Sequence, residues 1–219
     1  MASHDDKIKI TIIYDNETRI EGLKADWGFS CLIEAYGRRI LFDTGGSGSI
    51  LLNNMDALSI DPFSIEEVFI SHIHFDHTGG LATILDINDK VTLYAPSSLR
   101  GVFHVKEIIY EDEPVQLYDH FFTTGLLDDM EQSLAIETDK GLVVIVGCSH
   151  PGVGNILKAM TQFGKPYILI GGLHGFEEFE LIKRLQLVCP THCTQHIVEI
   201  QSLYPDKYIQ GGAGTVIEI

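Results

Sequence analysis

Positive charge is scarce in this chain of 219 residues, with 15 lysines and arginines against 31 aspartates and glutamates. The net charge of −16 repels phosphate backbones and anionic bilayers, so neither a nucleic acid nor a membrane is an expected partner. One phosphate held by a few basic side chains stays compatible with that charge, and Arg100, Lys106 and Lys165 are the candidates. Long apolar runs are missing: none approaches the roughly 18 residues of a spanning helix. Met1–Lys7 is polar and has no apolar centre, so no secretory signal is expected. Cysteine is sparse. Cys31, Cys148, Cys189 and Cys193 are too few and too irregularly spaced for a disulfide framework at this length. A reduced, cytoplasmic protein is the expectation. Cys189 and Cys193 bracket His192, but no second cysteine pair completes a structural zinc knuckle. Low-complexity tracts, proline-rich linkers and short repeats are absent, which leaves one domain over residues 1–219 with ample material for a core.

What is present is an alternation of short apolar segments and amphipathic ones. Lys7–Tyr14 reads as a strand, and Phe29–Tyr36 with Arg39–Phe42 as a hairpin around Gly37. Ile50–Leu58 has helical spacing, Glu67–Ile70 is a short buried strand, a loop follows, and Gly79–Leu85 opens a helix. The second half repeats the style. Ser133–Thr138 and Leu142–Gly147 form a hairpin, Val153–Phe163 a helix, Tyr167–Ile170 a strand and Phe176–Leu187 a helix. Cys189 ends a short strand, Thr194–Leu203 is helical and Thr215–Ile219 closes with a strand. Two such halves packed sheet on sheet give an α/β protein of four layers, α/β/β/α.

The chemistry concentrates in Ser71-His72-Ile73-His74-Phe75-Asp76-His77-Thr78-Gly79-Gly80. Three imidazoles and a carboxylate fall within six residues, directly after an apolar strand. On an extended or turning loop alternate residues project to one side, so His72, His74 and Asp76 converge while His77 takes an adjacent position. Imidazole nitrogen suits zinc or iron(II), and a carboxylate neutralises charge. A merely polar surface loop does not account for the apolar Phe69-Ile70 before it and the small Gly79-Gly80 after it. Gly45, Gly46, Gly48, Gly171 and Gly172 allow close approach of backbone to a ligand, and no glycine run matches a nucleotide-binding loop.

The segment His72–His77 resembles the H-x-H-x-D-H signature of the metallo-β-lactamase superfamily, and Asp43-Thr44-Gly45 resembles its aspartate-containing turn, which supports the metal ligands from behind. Gly147-Cys148-Ser149-His150-Pro151-Gly152, Gly171-Gly172-Leu173-His174 and Pro190-Thr191-His192-Cys193-Thr194 are similar to one subgroup. That subgroup contains uncharacterised metal-dependent hydrolases and the dihydropterin-ribofuranosylaminobenzene phosphate synthases of methanopterin biosynthesis. The resemblance covers almost the whole chain and implies the four-layer α/β/β/α metallo-β-lactamase sandwich with two metal ions, zinc first, with iron or manganese as alternatives. It implies His72, His74 and His150 at one ion, and Asp76, His77 and His192 at the other. The chain departs from the pattern after Gly147, where many relatives carry an aspartate bridging the metals and this one carries Cys148. Cys148 is either a thiolate ligand or a small buried hydrophobe. His174 is a ligand, a proton donor or a structural histidine, and Asp128 and Asp129 are ligands or solvated loop acids. His4, His104, His120 on a strand and His196 in a helix read as structural.

A metal-activated water attacking an ester, phosphoester or related small molecule is the implied reaction. Asp76 orients the water and His174 assists proton transfer. Three alternatives stand beside it. A synthase would transfer a pterin to a ribofuranosylaminobenzene phosphate acceptor. A mono-iron or di-iron redox enzyme is the second, although the di-iron members of the fold carry glutamate where this chain has His74. The third is a non-enzymatic metal-binding sensor. A small-molecule substrate, phosphorylated in some of these readings, is the expected partner. Substrate choice lies in the loops around the metals, and Ser97–Thr124, with Phe103, Tyr110, Tyr118, Phe121 and Phe122, is the candidate aromatic wall.

Overall fold

The computed structural model describes residues 7–219, so the polar start before Lys7 and His4 within it lie outside the described residues. The chain forms two compact units. One runs through Tyr110 and takes back Gly212–Ile219, and the other is Glu111–Gly211.

The first unit is a seven-stranded mixed sheet. Its strands are β1 (Lys9–Tyr14), β2 (Ser30–Ala35), β3 (Arg38–Phe42), β4 (Glu67–Phe69), β5 (Thr92–Tyr94), β6 (Glu107–Ile109) and, from the chain end, β13 (Val216–Glu218). The order is β13-β1-β2-β3-β4-β5-β6. β13, β1, β2 and β3 pair antiparallel, whereas β3, β4, β5 and β6 run parallel. Parallel neighbours need a crossover, and helices supply it. α1 (Gly48–Ala57) links β3 to β4, and α2 (Phe75–Thr78) with α3 (Leu81–Ile87) links β4 to β5. The apolar stripes of α1 and α3, Leu51, Met55, Ile84 and Leu85, pack with Leu32, Leu41, Val68 and Leu93 of the strands. Burying each such side chain contributes roughly 1.5–3 kcal/mol. The alternate strand residues carry Phe42, Phe69 and Tyr94, stacked at ring-centroid distances of 5.4 and 6.4 Å.

The second unit is a six-stranded mixed sheet of β7 (Val115–Tyr118), β8 (Phe121–Thr123), β9 (Leu134–Thr138), β10 (Gly141–Val146), β11 (Pro166–Gly172) and β12 (Leu187–Thr191), in the order β12-β11-β10-β9-β8-β7. β7 to β10 form an antiparallel meander, and β10, β11 and β12 run parallel. α4 (Val153–Met160) crosses from β10 to β11, and its Val153, Ile156, Leu157 and Met160 pack with Val144, Val146 and Leu169. Ile200 of α5 (Ile197–Leu203) joins the same core. The expected strands and helices therefore fall close to their places, with four differences, and β5, β6, β7 and β8 are additional to them. The motif loop closes into the short helix α2. The helix expected over Phe176–Leu187 is only a 3-10 turn, Phe179–Arg184. Its buried Ile182 and the buried Leu185 that follows its last residue lie three apart, the spacing that eclipses in a 3-10 turn. β12 continues two residues past Cys189. His120 sits at a left-handed turn between β7 and β8 rather than on a strand, with φ of 70°.

Candidate metal centre

In both units the candidate residues emerge at the C-terminal ends of parallel strands, where backbone carbonyl pairing stops and loops are free to point side chains at a ligand. In the first unit β3 delivers Asp43 and β4 delivers Ser71–His77. His72 and His74 lie on the extended stretch after β4, and Asp76 and His77 fall in the single turn of α2. Asp43 is fully buried and organises this loop. Its Oδ1 accepts the Ser71 N–H at 2.7 Å, while its Oδ2 accepts the Ser71 hydroxyl at 2.7 Å and faces His77 Nδ1 at 2.7 Å. Asp43 itself holds a left-handed backbone, φ 53°, which costs a non-glycine residue of order 1–3 kcal/mol and is common at functional sites.

These contacts fix the protons on the rings. His77 Nδ1 must carry the hydrogen it gives to the Asp43 carboxylate, so its Nε2 keeps the lone pair. Ser71 spends its only hydroxyl hydrogen on Asp43, so it accepts from His72 Nδ1–H at 2.8 Å, and His72 Nε2 also keeps its lone pair. An imidazole whose far nitrogen is held by a carboxylate or hydroxyl is the arrangement that orients a metal ligand. His72 Nε2 lies 3.0 Å from His74 Nδ1, close to the roughly 3.3 Å that separates two nitrogens on one tetrahedral ion with bonds of 2.0–2.1 Å. Asp76 Oδ2 stands 3.8 Å from His77 Nε2 and accepts the Trp27 indole N–H at 2.9 Å. The four donors thus fall into two pairs, His72 with His74 and Asp76 with His77, and the chemistry of each pair fits a divalent cation. Backbone closes in behind it: a Cβ on Gly28, whose φ is +147°, would stand 2.5 Å from the Asp76 carbonyl oxygen. Gly45, by contrast, makes room for the Tyr14 ring and Gly48 for Thr83 rather than for a ligand.

In the second unit β10 leads into Cys148 and His150, β11 into His174 and β12 into His192. The His150 and His174 rings lie 5.2 Å apart, and a His192 ring nitrogen lies within 4.8 Å of the Cys148 sulfur. Ser149, His174 and His192 all have positive φ, 59°, 45° and 46°. The loops after β11 and β12 are laced together: Leu173 N–H donates to Thr194 Oγ1, and Gln195 N–H to the His174 carbonyl, both at 2.9 Å. Gly172 permits this packing, since a Cβ there would stand 2.7 Å from the Cys193 sulfur. Cys193 is drawn down to about 6 by its side-chain hydrogen bond with Cys148, against the upward push of burial, with the charge of His192 and hydrogen bonds to His174 adding to the fall. His174 is exposed and borders a cavity of about 360 Å³ lined also by Ser149, His150, Phe176, Glu177 and Glu178.

The remaining candidates are placed elsewhere. Asp128 and Asp129 are exposed at the tip of a turn, with φ of 52° and 53°. His104 pairs with Asp86, His120 with Glu137, and His196 lies between Glu177 and Glu199. The expected aromatic wall does not hold as one surface, because Phe121 and Phe122 are buried in the second unit while Phe103 is exposed in the first. Arg100 stacks over the Tyr110 ring at 5.1 Å. Three residues that shape the site carry no signal in the sequence: Trp27 on Asp76, Ser71 as the hydroxyl that links His72 to Asp43, and Glu131 beneath the loop after β10. Among the described residues no helix is long and apolar enough to cross a membrane.

Comparison with known proteins adds four findings. The chain is 30% identical to the 7,8-dihydropterin-6-methyl-4-(β-D-ribofuranosyl)-aminobenzene-5′-phosphate synthase of Methanocaldococcus jannaschii, over 76% of this chain and 80% of that protein. Its fold matches Tm1679, described as a metal-dependent hydrolase of the β-lactamase superfamily, with a TM-score of 0.80, 25% identity and coverage of 97% of this chain and 99% of that one. Human tRNase Z, short form, matches with a TM-score of 0.63 at 16% identity over 95% and 98% of the two chains, a likeness of fold alone. The family model of the metallo-β-lactamase superfamily covers residues 28–199, a span that takes in Asp43, the His72–His77 loop and the strand ends of the second unit. With its sheets, its donor loop and these matches in agreement, the chain belongs to the metallo-β-lactamase superfamily and has its α/β sandwich fold.

Proposed function

We propose that the protein is a metal-dependent hydrolase acting on an ester, phosphoester or related small molecule, with both units serving one domain. The observation that carries this reading is the pair of contacts behind the loop, His77 Nδ1 on Asp43 and His72 Nδ1 on the Ser71 hydroxyl that itself donates to Asp43, from which it follows that His72 Nε2 and His77 Nε2 keep lone pairs beside Asp76. His72, His74 and His150 hold one ion, and Asp76, His77 and His192 the other, two zinc ions in all. Ions so held lower the pKa of coordinated water toward neutrality and polarise the substrate oxygen. The chain's own groups do the rest. Trp27 fixes one oxygen of Asp76, and with it the rotation of the carboxylate that orients the attacking water. His174, exposed beside the cavity, gives a proton to the leaving oxygen. The acidic surface favours a small substrate over a nucleic acid.

A second reading is favoured by the 30% identity to the archaeal synthase. Here the same ligands assist departure of diphosphate from a pterin, and the acceptor is a ribofuranosylaminobenzene phosphate. One experiment separates the two. Protein purified with and without oxygen is analysed for bound metal, then assayed against ester and phosphoester panels and against the pterin pair. Zinc with turnover of esters or phosphoesters supports the hydrolase, and product from the pterin pair alone supports the synthase. Iron in place of zinc, with no turnover of either panel, contradicts both and favours the redox alternative. A His72→Ala/Asp76→Ala double variant loses bound metal and activity together, and full activity without metal overturns the proposal.

A further inference from the structure

Glu131 is a carboxylate with no exposure to solvent, in the stretch that leads into β9. Its Oε1 accepts the N–H groups of Gly147, Cys148 and Ser149, each at 3.0 Å, and its Oε2 accepts the His150 N–H at 2.9 Å. Four consecutive backbone donors thus converge on one side chain. Successive amides curled in this way form an anion-binding concavity, and here the chain fills it with its own carboxylate. Hydrogen bonds to an ionised acceptor are roughly twice as strong as neutral ones, which offsets the burial of the charge. The loop they hold begins one residue after β10 and contains Cys148 and His150. A second tie, from Ser149 Oγ to the Gly172 carbonyl at 2.8 Å, fastens it to β11. The parallel with the first unit is close, since there a buried Asp43 accepts a backbone amide and fixes a ligand histidine.

We propose that Glu131 is the positioning residue of the second unit's donor loop. By binding four amides it fixes the backbone from Gly147 to His150 and holds His150 in one orientation toward a metal ion, with Cys148 fixed on the same loop, and its buried charge lowers the energy of a cation beside them. The inference rests on the metal-binding reading above. Nothing about Glu131 in the sequence alone marks it out, because an acid in a turn reads as solvated.

The test compares wild type with Glu131→Gln, Glu131→Asp and Val144→Ala, each loaded with cobalt(II) or zinc. Glu131→Gln keeps the size of the side chain but removes its charge and sets an amide NH2 against the N–H donors. It is expected to weaken metal binding about 10- to 100-fold, the usual effect of losing a group that supports a ligand, and to alter the visible cobalt spectrum. Glu131→Asp keeps the charge and is expected to restore part of the affinity, which also covers the case in which the glutamine variant does not fold. Val144→Ala is a destabilising core change on the same strand, expected to lower the melting temperature with the cobalt spectrum and affinity unchanged. Wild-type affinity and spectrum in Glu131→Gln overturn the proposal, as does an equal spectral change in Val144→Ala. A wild-type protein that binds no metal overturns the metal reading and this inference with it, whereas metal bound normally in all variants overturns only the role of Glu131.

Discussion

Inside the protein Asp43 accepts on its two oxygens from the Ser71 N–H, the Ser71 hydroxyl and the His77 ring, and all of these belong to the metal loop. Replacing it with asparagine turns one oxygen into an NH2 that faces either the Ser71 amide or the His77 ring. Asp43→Asn is therefore expected to weaken zinc binding about 10- to 100-fold, as measured by competition with a chromophoric chelator. Unchanged affinity would separate Asp43 from the site. Tyr14 offers a second test at this scale. Burial first, and its hydrogen bond to Asp26 next, raise the phenol well above its ordinary value of 10.0. A proton held more tightly in the folded state than in the unfolded one stabilises the fold fully below that ordinary value. The contribution is lost as pH rises beyond it, where the unfolded chain gains by ionising. Denaturant titrations should show stability falling above about pH 10 in wild type and falling less steeply in Tyr14→Phe. The residues of the first unit's loop were legible because ligand chemistry compresses His72, His74, Asp76 and His77 into one short motif. Glu131 was not legible. Its partners are backbone amides sixteen to nineteen positions away, and amides leave no trace in side-chain identity.

Elements matter here through their ends. β3 and β4 in the first unit, and β10, β11 and β12 in the second, all run parallel to a neighbour and all release a candidate residue where they stop. α4 holds β10 and β11 through Val153, Ile156, Leu157 and Met160. Ile156→Ala removes a fully buried side chain and is expected to cost about 2–5 kcal/mol of stability by urea unfolding, with metal affinity preserved in the folded fraction. Gly171, the last residue but one of β11, has a φ of +129° and lies so close to Val146 (a Cβ would stand 2.0 Å from its carbonyl oxygen) that there is no room for a side chain. Gly171→Ala should therefore displace the β10–β11 register and destabilise the protein. The hairpins around Gly37 and Gly141 were readable from turn residues, and α1 and α4 from helical spacing. β5, β6, β7 and β8 were not, because three or four residues each, β6 and β7 largely unburied, carry too little alternation to stand out. The segment after Phe176 misled because Leu181, Ile182 and Leu185 mimic a helical stripe, whereas the chain must reach β12 at Leu187 and tightens instead.

At the scale of the whole molecule, the proposal of a metal enzyme for a small substrate draws on the fold, the donor loop and the acidic charge together. Metal that binds only the folded chain must also stabilise it. At free zinc about 100 times its dissociation constant, each ion adds roughly 2.7 kcal/mol. Chelation is expected to lower the melting temperature, and zinc to restore it; a melting temperature indifferent to chelator would speak against a tight site. The family was legible from the motif alone, but the reaction was not, since a hydrolase and a pterin-transferring synthase need the same ligands. The most direct test of the central claim is a crystal structure of the metal-loaded protein with anomalous differences collected at the zinc edge. The account predicts two peaks, one ligated by His72, His74 and His150 and the other by Asp76, His77 and His192. No anomalous peak at the His72–His77 loop would contradict it.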